Sequence, residues 1–353
     1  ISSSTGGHAI PIFYVWKKFT DDLGDTVEIK IAHSKSMIER ELFSLMDQKR
    51  IITGKINRHE KIKNLWEGIK ILVGFWQTFW LILFWRPNLI FSKGGFVSVP
   101  ILFWARLFGI KYFIHESDSV MGVSNKMMSG GAKKVFVAFP IESYANKAPN
   151  FLHSGLIVGK AEKKLSLTED KKPVIYVTGG SQGARKINEV LFESLRELLQ
   201  DFVVIHQVGV KDILFAEEAA KKINKEKEAK YSYFGFSREL SEDAMVRADL
   251  VIARAGATTI GEISLLKKPS ILIPYKYASD DHQYKNAKIL EQVSAAILIK
   301  EDNFDKKTLL ERVKYLFANQ KNLEVLSENV AKYINTNGLN YVCGEIIREI
   351  QKK

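Results

Sequence analysis

The chain is nearly free of cysteine: Cys343 is the only one among its 353 residues. One thiol excludes an internal disulfide framework and a metal site built from several cysteines. The chain also lacks the charged and then apolar N-terminal segment of a secretory signal peptide. Residues 1–3 are instead typical of the end of a strand, so we expect that strand to begin before this sequence. The cysteine usage predicts a cytoplasmic protein.

Acidic residues are outnumbered, with 40 Asp and Glu against 52 Lys and Arg and a formal net charge of +12. Such an excess favours anionic partners: nucleic acid, phosphorylated substrates or an anionic membrane surface. No helix-turn-helix, zinc or RNP-like pattern is present, so we predict no nucleic-acid partner. No cluster of His, Asp and Glu has metal-ligand spacing, so we predict no obligatory metal or other cofactor.

Two familiar phosphate motifs are missing. No glycine-rich turn ends in Gly-Lys-Ser or Gly-Lys-Thr, which excludes a Walker A loop. No Gly-x-Gly-x-x-Gly precedes an acidic residue by about 20 positions, which disfavours a nicotinamide cofactor. Four other glycine-rich turns are present, each after an apolar strand, and glycine lets backbone approach a phosphate closely. They are Thr5-Gly6-Gly7-His8 and residues 92–96, 179–183 and 255–259.

Apolar strand-like runs alternate with helical patterns along the whole chain, which predicts parallel βαβ units and an α/β fold. We expect an N-terminal domain over residues 1–158 and a C-terminal domain over 159–353, with a polar linker near 160–172. Each domain is predicted to be Rossmann-like, and the two to face each other across a cleft. The predicted strands are residues 27–32, 89–91, 111–115, 133–138, 173–178, 202–207, 250–253 and 270–273.

The region after residue 249 is the most informative. A buried strand over 249–253 ends in a turn with Gly256, a helix begins there, and Glu262 lies in its first turns. Backbone N–H groups at a helix start can bind a diphosphate. A carboxylate one or two turns later can accept hydrogen bonds from both hydroxyls of a ribose. A second strand then leads to a polar loop with His282 and Gln283. This pattern predicts a nucleotide-diphosphate site at the carboxyl edge of a parallel sheet.

Residues 71–85 are unusually apolar and aromatic. The run is short for a transmembrane span, and Gln77 and Thr78 interrupt it. Basic residues flank it at Lys55, Arg58, Lys61, Lys63 and Lys70, which favours an interfacial helix on anionic lipid. The alternative is a crossover helix buried against the sheet, and both interpretations can hold for different faces.

The chain resembles the MurG glycosyltransferase family over nearly its whole length. The motifs that carry the resemblance are Thr5-Gly6-Gly7-His8, Ser92-Lys93-Gly94-Gly95-Phe96, His115-Glu116-Ser117-Asp118, Ser124-Asn125-Lys126, Gly179-Gly180-Ser181-Gln182-Gly183-Ala184-Arg185, Arg254-Ala255-Gly256-Ala257-Thr258-Thr259 with Glu262, and Asp281-His282-Gln283 with Asn286-Ala287.

The resemblance implies a GT-B fold and transfer of N-acetylglucosamine from UDP-N-acetylglucosamine to lipid I, a lipid-linked muramoyl diphosphate, in peptidoglycan synthesis. It implies a peripheral enzyme at the cytoplasmic face of the cell membrane, with its last helix able to pack back on the N-terminal domain. The implied donor residues are Ser181, Gln182, Phe236 (uracil), Ala257, Thr258, Thr259, Glu262 (ribose), His282 and Gln283 (sugar hydroxyls). The implied acceptor residues are Thr5, Gly6, Gly7, Gly94, Gly95 and Asn125.

An inverting transfer needs a base for the acceptor hydroxyl and stabilisation of the departing diphosphate. His8 suits the first role because an imidazole titrates near neutral pH, and Asp118 is the rival. The alternative is that His8 only orients the acceptor or caps a helix.

Three departures from the family pattern leave other functions open. Ser3 and Ser4 replace two glycines, Asp118 replaces an amide, and Gly159 replaces an arginine that meets donor phosphate in the family. The alternatives are another GT-B nucleotide-sugar glycosyltransferase, a UDP-sugar epimerase, or a non-catalytic membrane-bound protein that binds nucleotide sugars.

Overall fold

The computed structural model describes residues 1–2, 6–34, 36–54, 61–145, 147–159, 172–180, 182–223 and 230–352, and only the backbone of 6, 37, 38, 41 and 61–65. The chain divides into two compact units. Unit 1 comprises Ile1–Gly159 and Asn335–Lys353, and unit 2 comprises Lys160–Ile334. Residues 335–353, which the sequence grouped with the C-terminal domain, thus belong to unit 1. The predicted linker at 160–172 lies almost entirely outside the described residues.

Unit 1 contains two parallel sheets. The smaller one pairs β1 with β2, and the larger has the order β3-β4-β5-β6. Its strands are β1 Ile31–His33, β2 Gln48–Arg50, β3 Leu89–Ser92, β4 Lys111–Glu116, β5 Lys134–Val137 and β6 Phe151–His153. Its helices are α1 Gly6–Leu23, α2 Met37–Leu42, α3 Lys61–Trp85, α4 Ser98–Leu107, α5 Val123–Met128 and, at the C-terminus, α13 Gly338–Gln351.

The first two residues join the sheets of unit 1. Ser2 N–H donates to Ala32 O on β1 at 3.0 Å, and Ile1 O accepts from Lys93 N–H, directly after β3, at 3.2 Å. Residues 1–2 therefore lie between β1 and β3, and the strand order reverses at this point. Loops that follow the strands on either side of such a reversal diverge and open a crevice at the sheet's carboxyl edge.

Unit 2 has one parallel six-stranded sheet of order β12-β11-β10-β7-β8-β9. Its strands are β7 Val174–Thr178, β8 Val203–Gln207, β9 Tyr231–Phe234, β10 Leu250–Ala253, β11 Ser270–Leu272 and β12 Ile297–Leu298. Every residue of β7 and β10 is buried, as expected for central strands covered on both faces. The strand order reverses between β7 and β10, so the loops after these two strands flank the crevice of this unit.

The helices of unit 2 cover the faces of its sheet, and the first of them shows how. Along α6 the buried residues Leu191, Leu195, Leu198 and Leu199 recur every three or four positions, so one stripe faces the core. The described helices of this unit are α6 Arg185–Asp201, α7 Ile213–Lys221, α8 Arg238–Arg247, α9 Ala257–Leu265, α10 His282–Gln292, α11 Lys306–Phe317 and α12 Gln320–Tyr333.

The C-terminal helix α13 packs on unit 1 through both apolar and charged contacts. Val342, Cys343 and Ile346 are buried with Phe113 and Phe136 of the sheet. Glu349 forms ion pairs with Lys111, at 2.8 Å, and with Lys133. Gly338 begins α13, and a Cβ at this position would lie 2.5 and 2.6 Å from the carbonyl oxygens of Gly155 and Leu156.

The structure corrects the prediction for the aromatic segment. Helix α3 has 25 residues and begins ten positions before the apolar run at 71–85. Among the described residues, Trp66–Trp85 is long and apolar enough to cross a membrane, and 17% of it is buried. The run at 71–85 is therefore part of a longer helix that has the length and composition to span. One face of this helix, with Thr78 and Ile82, is buried, and α4 packs on the helix.

Candidate functional site

The start of α9 carries unpaired polar groups. Gly256 precedes the helix in extended conformation, and no side chain caps the first turn. Thr258 lies in that turn, and its Oγ1 is buried with no hydrogen-bond partner among the described residues. A buried hydroxyl without a partner is costly, and the first N–H groups of a helix have no acceptors within it. This first turn can therefore receive an anionic or hydroxylated ligand.

Glu262 lies one turn after Thr258 on the same helix. Burial raises the pKa of its carboxyl to about 7, the charge of Glu242 adds to this, and Arg238 opposes it. A ligand that donates hydrogen bonds favours the ionised form, so such binding would release a proton near neutral pH.

The loop after β7 is shaped by glycine. Gly180 has φ +76° and open space where a Cβ would stand, and its N–H donates to Thr178 Oγ1 at 2.9 Å. The N–H of this glycine is thus already used. Gly183, at φ +75°, packs against the carbonyl of Val208. Of the two predicted phosphate contacts here, Gln182 is exposed and Ser181 lies outside the described residues.

Phe236 lies in the turn between β9 and α8 and is half-buried. The following Ser237 caps α8, since its Oγ accepts from Leu240 N–H at 3.3 Å. The loops after β7, β9 and β10 all leave the same edge of the sheet of unit 2, because its strands are parallel. Phe236, Gln182 and Ala257–Thr259 thus share this edge, and their roles in binding remain predictions.

The loop before α10 holds His282 and Gln283. The Nδ1–H of His282 donates to Ser279 O at 2.8 Å, which leaves Nε2 for other partners. Gln283 Oε1 accepts from Tyr275 N–H at 3.0 Å, which fixes its amide so that the NH2 group remains a donor. Asp280 and Asp281 both have positive φ, at 52° and 54°, an unusual strain for two consecutive non-glycine residues.

The same loop is held by an ion pair that sequence reasoning missed. Arg254 Nη2 bonds Glu301 Oε1 at 2.5 Å, and its Nη1 bonds Ile273 O at 3.1 Å. Glu301 Oε2 also accepts from Lys276 N–H at 3.1 Å. Glu301 lies 47 residues beyond Arg254, so no local pattern could link them.

In unit 1, Gly94 and Asn125 are brought together. Gly94 has φ +91°, its N–H donates to Ser92 Oγ at 3.1 Å, and a Cβ on it would lie 2.6 Å from Asn125 Oδ1. Asn125 Nδ2 donates to Glu116 Oε2 at 2.9 Å, whereas its buried Oδ1 has no partner among the described residues. Gly95 follows with φ +82°. The unsatisfied atom, Asn125 Oδ1, is a hydrogen-bond acceptor.

Glu116 organises the loop between β4 and α5. Its Oε1 accepts from Asp118 N–H at 3.1 Å, and its Oε2 also accepts from Gly122 N–H at 2.8 Å. Burial raises the pKa of Glu116, and the charge of Asp118 adds to this. Tyr144 Oη donates to Asp118 O at 2.8 Å, which fixes the backbone at Asp118.

Lys93 is a further residue to which the sequence assigned no role. Its side chain is 1% exposed, and its Nζ contacts His115 Nδ1 at 2.6 Å and Ser117 Oγ. Burial lowers the pKa of this ammonium to about 8, and the charges of Glu116 and Asp118 oppose the shift. Its only sequence signal is a lysine within a glycine turn, which is typical of exposed loops.

The predicted residues of the first loop are only partly described. Thr5 lies outside the described residues, Gly6 begins α1, and Gly7 is exposed. His8 lies in the first turn of α1 and is half-buried. The identity of the base, His8 or Asp118, remains a prediction. No group of three or more His, Cys, Asp or Glu among the described residues could hold a metal, and metal independence also remains a prediction.

The structure gives a physical reason for the glycine at position 159. A Cβ there would stand 1.9 Å from the ring of Tyr14, which lies on α1. The Tyr14 ring therefore occupies the space in which any side chain at 159 would begin. The departure at Gly159 is thus coupled to a second residue of the same unit.

Family models match most of the chain. The model of the glycosyltransferase family 28 N-terminal domain matches residues 3–137, and that of its C-terminal domain matches residues 174–338. The parallel sheets and these matches define a glycosyltransferase of the GT-B fold. Sequence relatives show which family of glycosyltransferases the chain belongs to.

A UDP-N-acetylglucosamine--N-acetylmuramyl-(pentapeptide) pyrophosphoryl-undecaprenol N-acetylglucosamine transferase of Clostridium botulinum is 33% identical over 336 residues, 92% of each chain. The enzyme of that name from Geobacillus kaustophilus is 35% identical over 303 residues, 81% of this chain and 83% of the relative. The chain belongs to this family, the MurG family.

Solved structures agree in fold. MurG of Acinetobacter baumannii superimposes with a TM-score of 0.73 at 24% identity, covering 98% of each chain. A putative UDP-N-acetylglucosamine 2-epimerase of Listeria monocytogenes gives a TM-score of 0.70 at 11% identity, covering 100% of this chain and 96% of the other. At these identities the likeness concerns the fold alone.

We predict that Gly159→Ala destabilises the protein by about 1–3 kcal/mol, the usual cost of overpacking. Tyr14→Ala in the same chain should relieve the collision, so the two effects should be strongly non-additive in urea unfolding. Gly130→Ala is the matched control, because a Cβ there meets nothing within 4 Å. Simple additivity of the two substitutions would contradict the geometry.

Proposed function

We propose that this chain transfers N-acetylglucosamine from UDP-N-acetylglucosamine to the C4 hydroxyl of the muramoyl sugar of lipid I, releasing UDP and lipid II with inversion. Membership of the MurG family supports the reaction. Unit 2 is proposed to bind the donor and unit 1 the acceptor.

One observation carries the donor assignment: at the start of α9, Thr258 Oγ1 is buried with no hydrogen-bond partner among the described residues, and Glu262 lies one turn away. A diphosphate would accept hydrogen bonds from Thr258 Oγ1 and from the first N–H groups of the helix. The ribose hydroxyls would donate to Glu262. Phe236 would pack on uracil, and His282 and Gln283 would contact sugar hydroxyls. Ala257, Thr259, Ser181 and Gln182 would line the diphosphate.

The acceptor assignment follows from hydrogen-bond direction. Because Asn125 Nδ2 is held by Glu116, its Oδ1 can only accept, and a phosphate oxygen cannot satisfy it. Asn125 is therefore proposed to bind a hydroxyl or amide N–H of the acceptor sugar. The diphosphate of the acceptor is proposed to lie nearer Thr5–Gly7 at the start of α1 and the N–H of Gly95, since the N–H of Gly94 is used within the turn.

The chemistry requires a proton acceptor and a site for leaving-group charge. His8 or Asp118 would take the hydroxyl proton as the oxygen attacks the anomeric carbon. The N–H groups at the start of α9 would stabilise the negative charge that develops on UDP as the glycosidic bond breaks.

The transfer is tested by UDP release from UDP-N-acetylglucosamine with and without a lipid I analogue. We predict that the wild type releases UDP only when the acceptor is present. Of the two variants His8→Ala and Asp118→Asn, the one that lacks the base should release UDP at least about a hundredfold more slowly. Conversion of the donor without acceptor would indicate an epimerase. Donor binding without any turnover would indicate a non-catalytic protein.

We further propose that the chain binds the cytoplasmic membrane face through α3 and α4. Leu72, Trp76, Trp80 and Phe84 recur every four residues on α3 and are 40–79% exposed. Phe103, Leu107 and Phe108 extend this apolar surface at α4. A contiguous exposed apolar surface of this kind marks an interaction site. Lipid is its proposed occupant, because tryptophan and phenylalanine on an amphipathic helix favour the membrane interface.

The contacts of α3 favour a helix that lies on the membrane. Gln77 Nε2 donates to Arg50 O at 2.6 Å, Gln77 Oε1 accepts from Ile52 N–H at 2.9 Å, and Trp104 Nε1 donates to Phe75 O at 2.9 Å. A spanning helix would have to give up these bonds. The basic flank is only partly described, and Lys70 within it is paired with Glu67 at 2.5 Å.

We predict that Leu72→Ser/Trp76→Ser/Phe84→Ser weakens co-sedimentation with phosphatidylglycerol vesicles at least about tenfold, since each side chain loses apolar area buried in lipid. Leu45→Ser is the control, because Leu45 is 94% exposed but lies outside α3 and α4. Equal binding by both variants would contradict the assignment. Resistance of the wild-type protein to alkaline carbonate extraction would favour a spanning helix.

Donor binding should depend on pH through Glu262. With its pKa at about 7, the carboxylate is present above that pH and lost below it. UDP-N-acetylglucosamine affinity should therefore fall about tenfold between pH 8 and pH 6. Calorimetry checks this, and Glu262→Gln should bind weakly at both pH values with no such change. A pH dependence that survives in Glu262→Gln would assign the titration to another group.

A further inference from the structure

Lys93 has an unusual environment for a lysine. It follows β3 directly, between the strand and the Gly94–Gly95 turn, and its side chain is almost wholly buried. Its Nζ has two hydrogen-bond partners, His115 Nδ1 and Ser117 Oγ. His115 Nε2–H donates to Gly155 O at 3.1 Å, so Nδ1 carries a lone pair and accepts from Lys93. Both partners of the ammonium are neutral.

This arrangement costs stability. Burying an ammonium is expensive unless a carboxylate pairs with it, and none of the described carboxylates forms an ion pair with Lys93. A methionine has a similar shape and would avoid the cost. The charge of Lys93 therefore lowers the stability of the fold, which indicates a functional role for this residue.

Lys93 contacts one loop, the 115–118 segment. Its Nζ bonds His115 and Ser117 of that segment, and the charges of Glu116 and Asp118 oppose the fall in its pKa. Both oxygens of Glu116 already accept hydrogen bonds from the protein. His115 contacts Lys93 and is held neutral by burial and by the lysine's charge, which put its pKa well below the usual value. Tyr144 binds the backbone of Asp118.

We propose that Lys93 is a positioning residue of the transfer reaction: through its contacts with His115 and Ser117, its buried ammonium orients the 115–118 segment and so places the Asp118 carboxylate as acceptor of the hydroxyl proton. This rests on the proposed function. Lys93 does not itself contact the substrate. It acts through Asp118, which the proposal selects over His8 as the base.

The test compares Lys93→Met with Lys147→Met, an exposed lysine of the same unit. We expect Lys93→Met to keep or raise Tm and to lower kcat at least about tenfold with KM for UDP-N-acetylglucosamine unchanged, because the misplaced carboxylate affects the transfer step and not donor binding. Lys147→Met should match the wild type. Adding Lys93→Met to Asp118→Asn should cause no further loss of kcat, because both changes remove the same function.

Three results would overturn the inference. A Lys93→Met chain that unfolds, or that loses Tm while kcat and KM stay unchanged, would make the lysine structural. Full additivity with Asp118→Asn would show that it does not act through that carboxylate. An active wild type with an unaffected Lys93→Met variant would reject this inference alone, whereas a wild type without acceptor-dependent UDP release would reject the proposed function and this inference with it.

Discussion

The first N–H groups of a helix have no hydrogen-bond acceptors within that helix, and this constraint determines where both units can bind anionic ligands. In a parallel sheet those groups meet at the carboxyl edge, and at a reversal of strand order the loops part and leave room for a ligand. Unit 2 reverses between β7 and β10, and unit 1 reverses around Ile1–Ser2, between β1 and β3. Each unit therefore has its own crevice, and the first turns of helices lie at that crevice.

Both crevices also carry polar groups that weaken the fold. Thr258 Oγ1 and Asn125 Oδ1 are buried without partners in the part of the chain that the structure describes, Glu262 has a raised pKa, and Lys93 is a buried cation. Each of these is a cost in the protein without ligands and would be offset by binding or by use in the reaction. Apolar strands such as β7 and β10 are fully buried. Among the described residues, buried polar atoms without partners also occur outside the sequence motifs, at His33, Glu197 and Ser270.

The parts of the fold that depend on local pattern could be predicted from the sequence. The apolar strands β3, β7 and β10 were placed within a residue, and the glycine turns after them lie at the carboxyl edge as expected. Strand β2 was missed because Gln48–Arg50 is polar and largely exposed. The length of α3 was underestimated because its first turns are polar. Lys93, the Arg254–Glu301 pair and the Tyr14–Gly159 contact depend on residues distant in sequence, and no periodicity encodes them.

The central claim is that the start of α9 holds the diphosphate of a nucleotide, and a crystal structure of the chain with UDP tests it most directly. The account predicts the diphosphate at the N–H groups of Ala257–Thr259, with Thr258 Oγ1 within hydrogen-bond distance and the ribose hydroxyls on Glu262. UDP bound with its diphosphate away from α9, or with its ribose away from Glu262, would contradict it.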